Sequence, residues 1–146
     1  MRGINVAEYV IEFAGNQGKL ITNLKLQKTL YYIQGYSFRK LSYPIIDDDF
    51  FNWQYGPVLP SVYFEYSGNS GMSLERRKWI ALPRLAPKQS HVLNRVIEEC
   101  LSRNVSELVE LSHGEDPWKN TQLRDKISKK SIQVYFENND PLTISF

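Results

Sequence analysis

Chemistry in this chain would have to come from a small set of side chains. His113, Glu115 and Asp116 stand close together, and a metal or an acid/base pair is the chemistry they could do. A structural role explains them better. A histidine in the last turn of a helix favours its dipole, Gly114 ends that helix, and Asp116-Pro117 turns the chain. His91 is the only other histidine, so the paired-histidine spacing of a metal site is missing. Cys100 falls on an apolar helical stripe, where a small buried thiol is inert. Asp47, Asp48 and Asp49 are adjacent carboxylates that point different ways on an extended chain, which suits a solvated loop. No Gly-x-Ser-x-Gly elbow occurs, and Gly68 and Gly71 lack the lysine and helix of a phosphate loop. No catalytic, cofactor-binding or metal-ligating residues are assigned, and the chain is expected not to be an enzyme.

Binding is the better supported class. Nineteen of 146 residues are aromatic (13%), nine of them tyrosine. Aromatics supply core area, and they also concentrate energy at protein interfaces. The set Lys25, Lys28, Tyr32, Tyr36 and Arg39 shares one helical arc. Lysines on phosphates and tyrosines on bases would make that arc a nucleic-acid contact. Against this, 18 Lys+Arg face 16 Asp+Glu, a net charge of only +2. Nucleic acid is therefore a poor partner, and a solvated or partly covered face is the plainer reading. A single cysteine forms no internal disulfide and suits the cytoplasm. Apolar runs reach about four residues, far short of a membrane span or a signal peptide.

The elements that must position these residues follow from periodicity. Helices are expected over 5–13, with Asn5 and Glu8 as a capping box, and over 22–41, where Leu26, Leu30, Ile33 and Leu41 with Leu24, Tyr31 and Phe38 make more than half the circumference apolar. A helix like that belongs at the centre. Alternation predicts a strand over 50–55, the Gly56-Pro57 turn follows, and Pro60 opens a short helix to Tyr66. A mobile loop is expected over 67–73, and a second strand over 78–82. Helices follow over 87–103 and from Asn104 to His113, the second with Asn104 and Glu107 as a capping box, then a turn at 116–118 and a helix capped by Ser128. The tail 141–146 alternates and reads as an edge strand. The sum is one domain over 1–146: mainly helical α+β, five to seven helices and a two- or three-stranded antiparallel sheet.

Two stretches carry a family resemblance. Leu26, Lys28, Leu30, Tyr31 and Tyr32 match a Leu-x-Lys-Leu-x-Tyr-Tyr pattern, with Thr29 where leucine is more usual. Trp53, Tyr55, Gly56, Pro57, Val58, Pro60, Val62 and Tyr63 match aromatic-x-Tyr-Gly-Pro-Val-x-Pro-x-Val-Tyr, and His113, Pro117 and Trp118 match a later His and Pro-Trp. Together they resemble the Panacea domain of SocA-like antitoxins and phage-associated GepA-like proteins, over about residues 5 to 137. The resemblance implies a prokaryotic or phage protein that neutralises a cognate protein toxin by direct binding. Some similar proteins hand the toxin to a Clp-type ATP-dependent protease, a role for which the tail would offer a second surface. A phage-associated interaction protein, a DNA-binding autoregulator working through the Lys25–Arg39 arc, and a homo-oligomer are the other readings. The candidate partner-binding residues are the motif residues Lys28, Tyr31, Tyr32, Tyr36, Trp53, Tyr55, Gly56, Pro57, Pro60, Tyr63, His113, Pro117 and Trp118, with exposed members of Lys28, Tyr32, Tyr36, Trp53, Tyr55 and Tyr63 expected to contribute most.

Overall fold

A computed structural model describes residues 1–69 and 71–146 of the chain. The order is α1 (Gly3–Asn16), α2 (Asn23–Leu41), β1 (Phe50–Trp53), β2 (Gly56–Val58), α3 (Pro60–Glu65), a single 3-10 turn (Ser67–Asn69), α4 (Pro87–Leu101), α5 (Val105–His113), α6 (Asp116–Lys119), β3 (Lys126–Ile127) and α7 (Lys129–Asn138). Within the loop expected over 67–73, Ser70 lies outside the described residues.

Helix α2 is the centre. Thr22 caps it by accepting from Lys25 N, and α1, α4, α5, α7 and the β2–α3 segment all pack on it. Fifteen of its nineteen residues are buried. That is wider than the apolar arc, because its polar side chains are buried too. The α2–α7 contact is close at Gly35, where a methyl group would lie 2.3 Å from the Phe136 ring. Phe136 in turn packs edge-on against Tyr31, Tyr32 and Tyr36.

The sheet is antiparallel in the order β2-β1-β3. Its third strand is not the expected 78–82 segment, which forms a turn and irregular chain with Trp79 exposed. The backbone of Asn52 pairs instead with Arg124 and Asp125, leading Lys126–Ile127 alongside β1. Segment 74–77 is held by Leu74 N donating to Ile21 O and by the buried Glu8 carboxylate, which takes Arg76, Arg77 N and Tyr66 OH. The tail forms no strand either. Leu142 and Ile144 are buried, Tyr36 OH accepts from Leu142 N, and Arg95 and Arg103 take tail carbonyls.

Helix starts also depart from the local signals. Helix α1 begins two residues before Asn5, because Asp48 Oδ1 accepts Gly3 N at 2.7 Å and caps it from across the fold. Asn5 instead donates to Ala81 O, and Glu8 is buried, so no capping box forms. Asn104 makes no side-chain cap, whereas Ser128 accepts Ser131 N as expected. The three aspartates are structural rather than merely solvated: Asp47 pairs with the amino group of Met1, Asp48 caps α1 and holds Ser61, and Asp49 pairs with Lys129. Residues 116–119 form one helical turn with Pro117 at its start.

The Gly35–Phe136 contact predicts a measurable cost. Gly35→Ala should lower stability by about 1–3 kcal/mol through overpacking, despite alanine's better helix propensity. Adding Phe136→Leu should recover part of it. Urea unfolding of the single and double variants checks this, and a Gly35→Ala protein as stable as its parent would contradict the packing.

Candidate protein-binding face and its internal brace

The sequence-predicted residues divide into a buried brace and an exposed platform. Lys28, Tyr31, Tyr32 and Tyr36 are fully buried. They cannot touch a partner, contrary to the expectation that exposed members of this group lead binding. The other two cations of the basic-aromatic arc, Lys25 and Arg39, are half-buried and already engaged. Lys25 donates to Leu101 O and Arg103 O at the end of α4, and Arg39 donates to Phe136 O and Asn139 O at the end of α7. Each cation sits where carbonyls lack helical partners. Tyr36 donates to Asp140 while receiving Leu142 N. The cations and rings that a nucleic-acid face would need are thus spent inside the protein.

The brace fixes the β1–β2 hairpin. In its register Trp53 faces Gly56 and Asn52 faces Pro57, with Gln54 and Tyr55 at the turn. Gly56 has φ +113°, and a methyl group there would meet Lys28 Nζ at 2.6 Å and Ser112 Oγ at 2.8 Å. Glycine is therefore required twice, for conformation and for space. Lys28 Nζ donates to Pro57 O at 3.0 Å. Next to Lys28 is Gln27, and Asn23 lies one turn before it on the same side of α2. Gln27 accepts Leu59 N and donates to Asn23 Oδ1, and Asn23 donates to Tyr63 O. The chain from β2 into α3 is thereby tied to α2, and Pro60 opens α3.

A second tie comes from α5 and α6. Trp118 Nε1 donates to Trp53 O at 3.1 Å, and Asn52 donates to Trp118 O and Thr121 O. His113 stacks on Trp118 with centroids 4.1 Å apart. Burial holds the His113 pKa below its usual value, opposed by a contact with the Gln54 backbone and helped by the Lys28 charge. Pro117 is buried in the α6 turn. Between the ties sits Glu115, whose burial the sequence does not announce. Tyr31 OH and Tyr32 OH donate to its two oxygens at 3.0 and 2.7 Å. Burial pushes the Glu115 carboxyl up to about 7, opposed by the two hydroxyls, and pushes the Lys28 amine down to about 7. Burial also raises both tyrosines and lifts the Cys100 thiol to about 12, so that thiol is unreactive. Among the described residues no three His, Cys, Asp or Glu side chains come together as a metal set.

What the brace holds outward is aromatic. Inward places on β1 go to Phe50 and Asn52, so the Phe51 and Trp53 side is the outer one. Trp53, Tyr63 and Phe64 meet edge to face, with centroids 5.1, 5.8 and 5.7 Å apart. Tyr55 is 57% exposed, Phe64 64% and Leu123 58%. Two grooves share the walls Trp53, Tyr55 and Tyr63. One, of about 370 Å³, runs to the start of α2 at Asn23, Leu24 and Gln27. The other, of about 500 Å³, runs to Leu123 and Arg124. Phe64, Leu123 and Arg124 were not among the sequence candidates. For Phe64 and Leu123 the one sequence signal is a large apolar residue, in a short helix and in a polar turn; Arg124 carries none.

The chain is a small, mainly helical α+β domain whose braced hairpin carries an aromatic outer face. Comparison with known proteins names the family: residues 26–119 match the model described as antitoxin SocA-like, Panacea domain, and the chain belongs to that family. It is 31% identical over 124 residues to antitoxin SocA of Caulobacter vibrioides (strain NA1000 / CB15N), an alignment covering 77% of this chain and 66% of that protein. The chain thus spans just under two thirds of that relative. No solved structure matches the chain at a significant level. Among the described residues no helix is long and apolar enough to cross a membrane.

The two buried titratable groups, Glu115 and Lys28, predict a pH signature. Glu115, raised from its ordinary 4.5, gives stability that is full below that value and lost as pH rises through about 7. Lys28, lowered from 10.5, gives stability that is full above that value and lost as pH falls through about 7. Together they should produce a shallow minimum near neutrality. Glu115→Gln should remove the fall between about pH 4.5 and 7, and Lys28→Met the rise between about 7 and 10.5. Denaturant midpoints across pH check both; unchanged slopes in both variants would refute the assignment.

Proposed function

We propose that the chain is an antitoxin that neutralises a protein toxin encoded beside it, by direct binding and without chemistry of its own. The observation that carries this reading is the platform. The motif shared with the family spends its lysine, glycine, proline and histidine on bracing one hairpin, and that hairpin turns Trp53 and Tyr55 outward beside Tyr63. Rigid aromatic anchors of this kind lose little entropy on binding and dominate protein interfaces. Membership of an antitoxin family supports the same role, as does the name of the Caulobacter relative. The cytoplasm suits an inert, buried, single cysteine.

Delivery of the toxin to a Clp-type protease has less support here. The tail 141–146 that would have served as a second surface is folded onto α2 and α4, with Leu142 and Ile144 in the core. Co-expression tests the binding role. The neighbouring reading frame should stop growth alone, growth should return with this chain, and a stable complex should copurify. A harmless neighbour, or rescue with no complex, would overturn the reading.

A further inference from the structure

We infer that the partner enters the platform as a polypeptide segment whose apolar side chains fill the two grooves and whose carboxylate meets Arg124. This deepens the toxin-binding reading and rests on it. The two grooves share the ridge of Trp53, Tyr55 and Tyr63, so one segment lying across it can fill both. Their walls are aromatic, aliphatic or uncharged polar, with a single exception, Arg124. No Asp, Glu or Lys lines either one.

Arg124 is placed, not loose at its base. Its backbone has φ +73°, an unusual conformation for a residue with a side chain, held because its N–H donates to Asn52 O on the central strand. The side chain is exposed and makes no ion pair among the described residues, its neighbour Asp125 included. An unpaired guanidinium at the lip of an apolar groove selects a carboxylate, which it can grip with two parallel hydrogen bonds. A nucleic-acid strand fits worse. It needs a row of cations along its backbone, and the grooves offer one. Other exposed aromatics lie elsewhere: Trp79 borders a separate groove with Arg2 and Ile4.

The test uses the full chain with the toxin that copurifies with it, comparing affinities of variants whose circular dichroism matches the parent. Tyr55→Ala, Phe64→Ala and Arg124→Glu change exposed side chains and should each weaken binding about tenfold or more. Trp79→Ala should leave it unchanged. Parent affinity should fall as salt rises, and Arg124→Gln should remove most of that dependence. If the parent binds its toxin and the platform variants bind equally well, this inference falls while the antitoxin reading stands. A parent that forms no complex overturns both. Sedimentation of the isolated chain should show a monomer; a dimer abolished by Tyr55→Ala would put a second copy on the platform and overturn the segment.

Discussion

Burying α2 on nearly every side forces its polar side chains to find partners inside the protein, and the rest of the structure is arranged around that demand. A buried donor or acceptor left unpaired costs about 1–3 kcal/mol, so each such group must meet its complement. The complements are mostly backbone groups of other segments. Gln34 both accepts Ile46 N and donates to Ile46 O, pairing that loop as a strand would. Gln27 and Lys28 take Leu59 N and Pro57 O, and Tyr36 takes Leu142 N. Lys25 and Arg39 end the helices α4 and α7. One helix thus sets where the loops, the hairpin and the tail lie.

This arrangement accounts for a motif rich in polar and aromatic residues that nevertheless leaves little of itself on the surface. Tyr31 and Tyr32 supply bulk to the aromatic packing around Phe136 and hydroxyls to Glu115. Lys28 and Glu115 are both held away from their ordinary ionisation, and they are not paired with each other within 4 Å. Such groups stabilise less than apolar residues would, but each accepts only one arrangement of its neighbours. The ties hold the backbone of the hairpin that carries Trp53 and Tyr55, and a backbone already ordered has little freedom to lose if a partner binds there.

Much of the framework was legible from pattern. The span of α2 and its central place followed from Leu26, Leu30, Ile33 and Leu41 together with the neighbouring rings, and Thr22 and Ser128 cap as their positions suggest. Gly56-Pro57, expected as the turn out of a strand over 50–55, instead opens strand β2, because both pair with β1 and the turn falls at Gln54-Tyr55. Pattern failed where a long-range partner outweighed a local signal. Segment 78–82 alternates like a strand but finds no ladder, while Lys126–Ile127, too short to show a period, is drawn in by the backbone of Asn52. Asn5 and Glu8 look like a capping box, yet Asp48 does the capping and Glu8 binds Arg76 and Tyr66.

The candidate site divides along the same line. From sequence alone came the class of the fold, the family motif, and Trp53, Tyr55 and Tyr63 as contact candidates, because glycine, proline and periodic apolar residues act through the nearby backbone. Which side chains reach solvent was decided only in three dimensions. Lys28, Tyr32 and Tyr36 read as a polar arc until the tail, α5–α6 and α7 cover them, and Phe64, Leu123 and Arg124 join the platform only when α3 and the turn before β3 dock beside the hairpin. Exposure belongs to the packed whole: whether a ring is core or surface depends on what distant segments lay over it, and no local pattern carries that information.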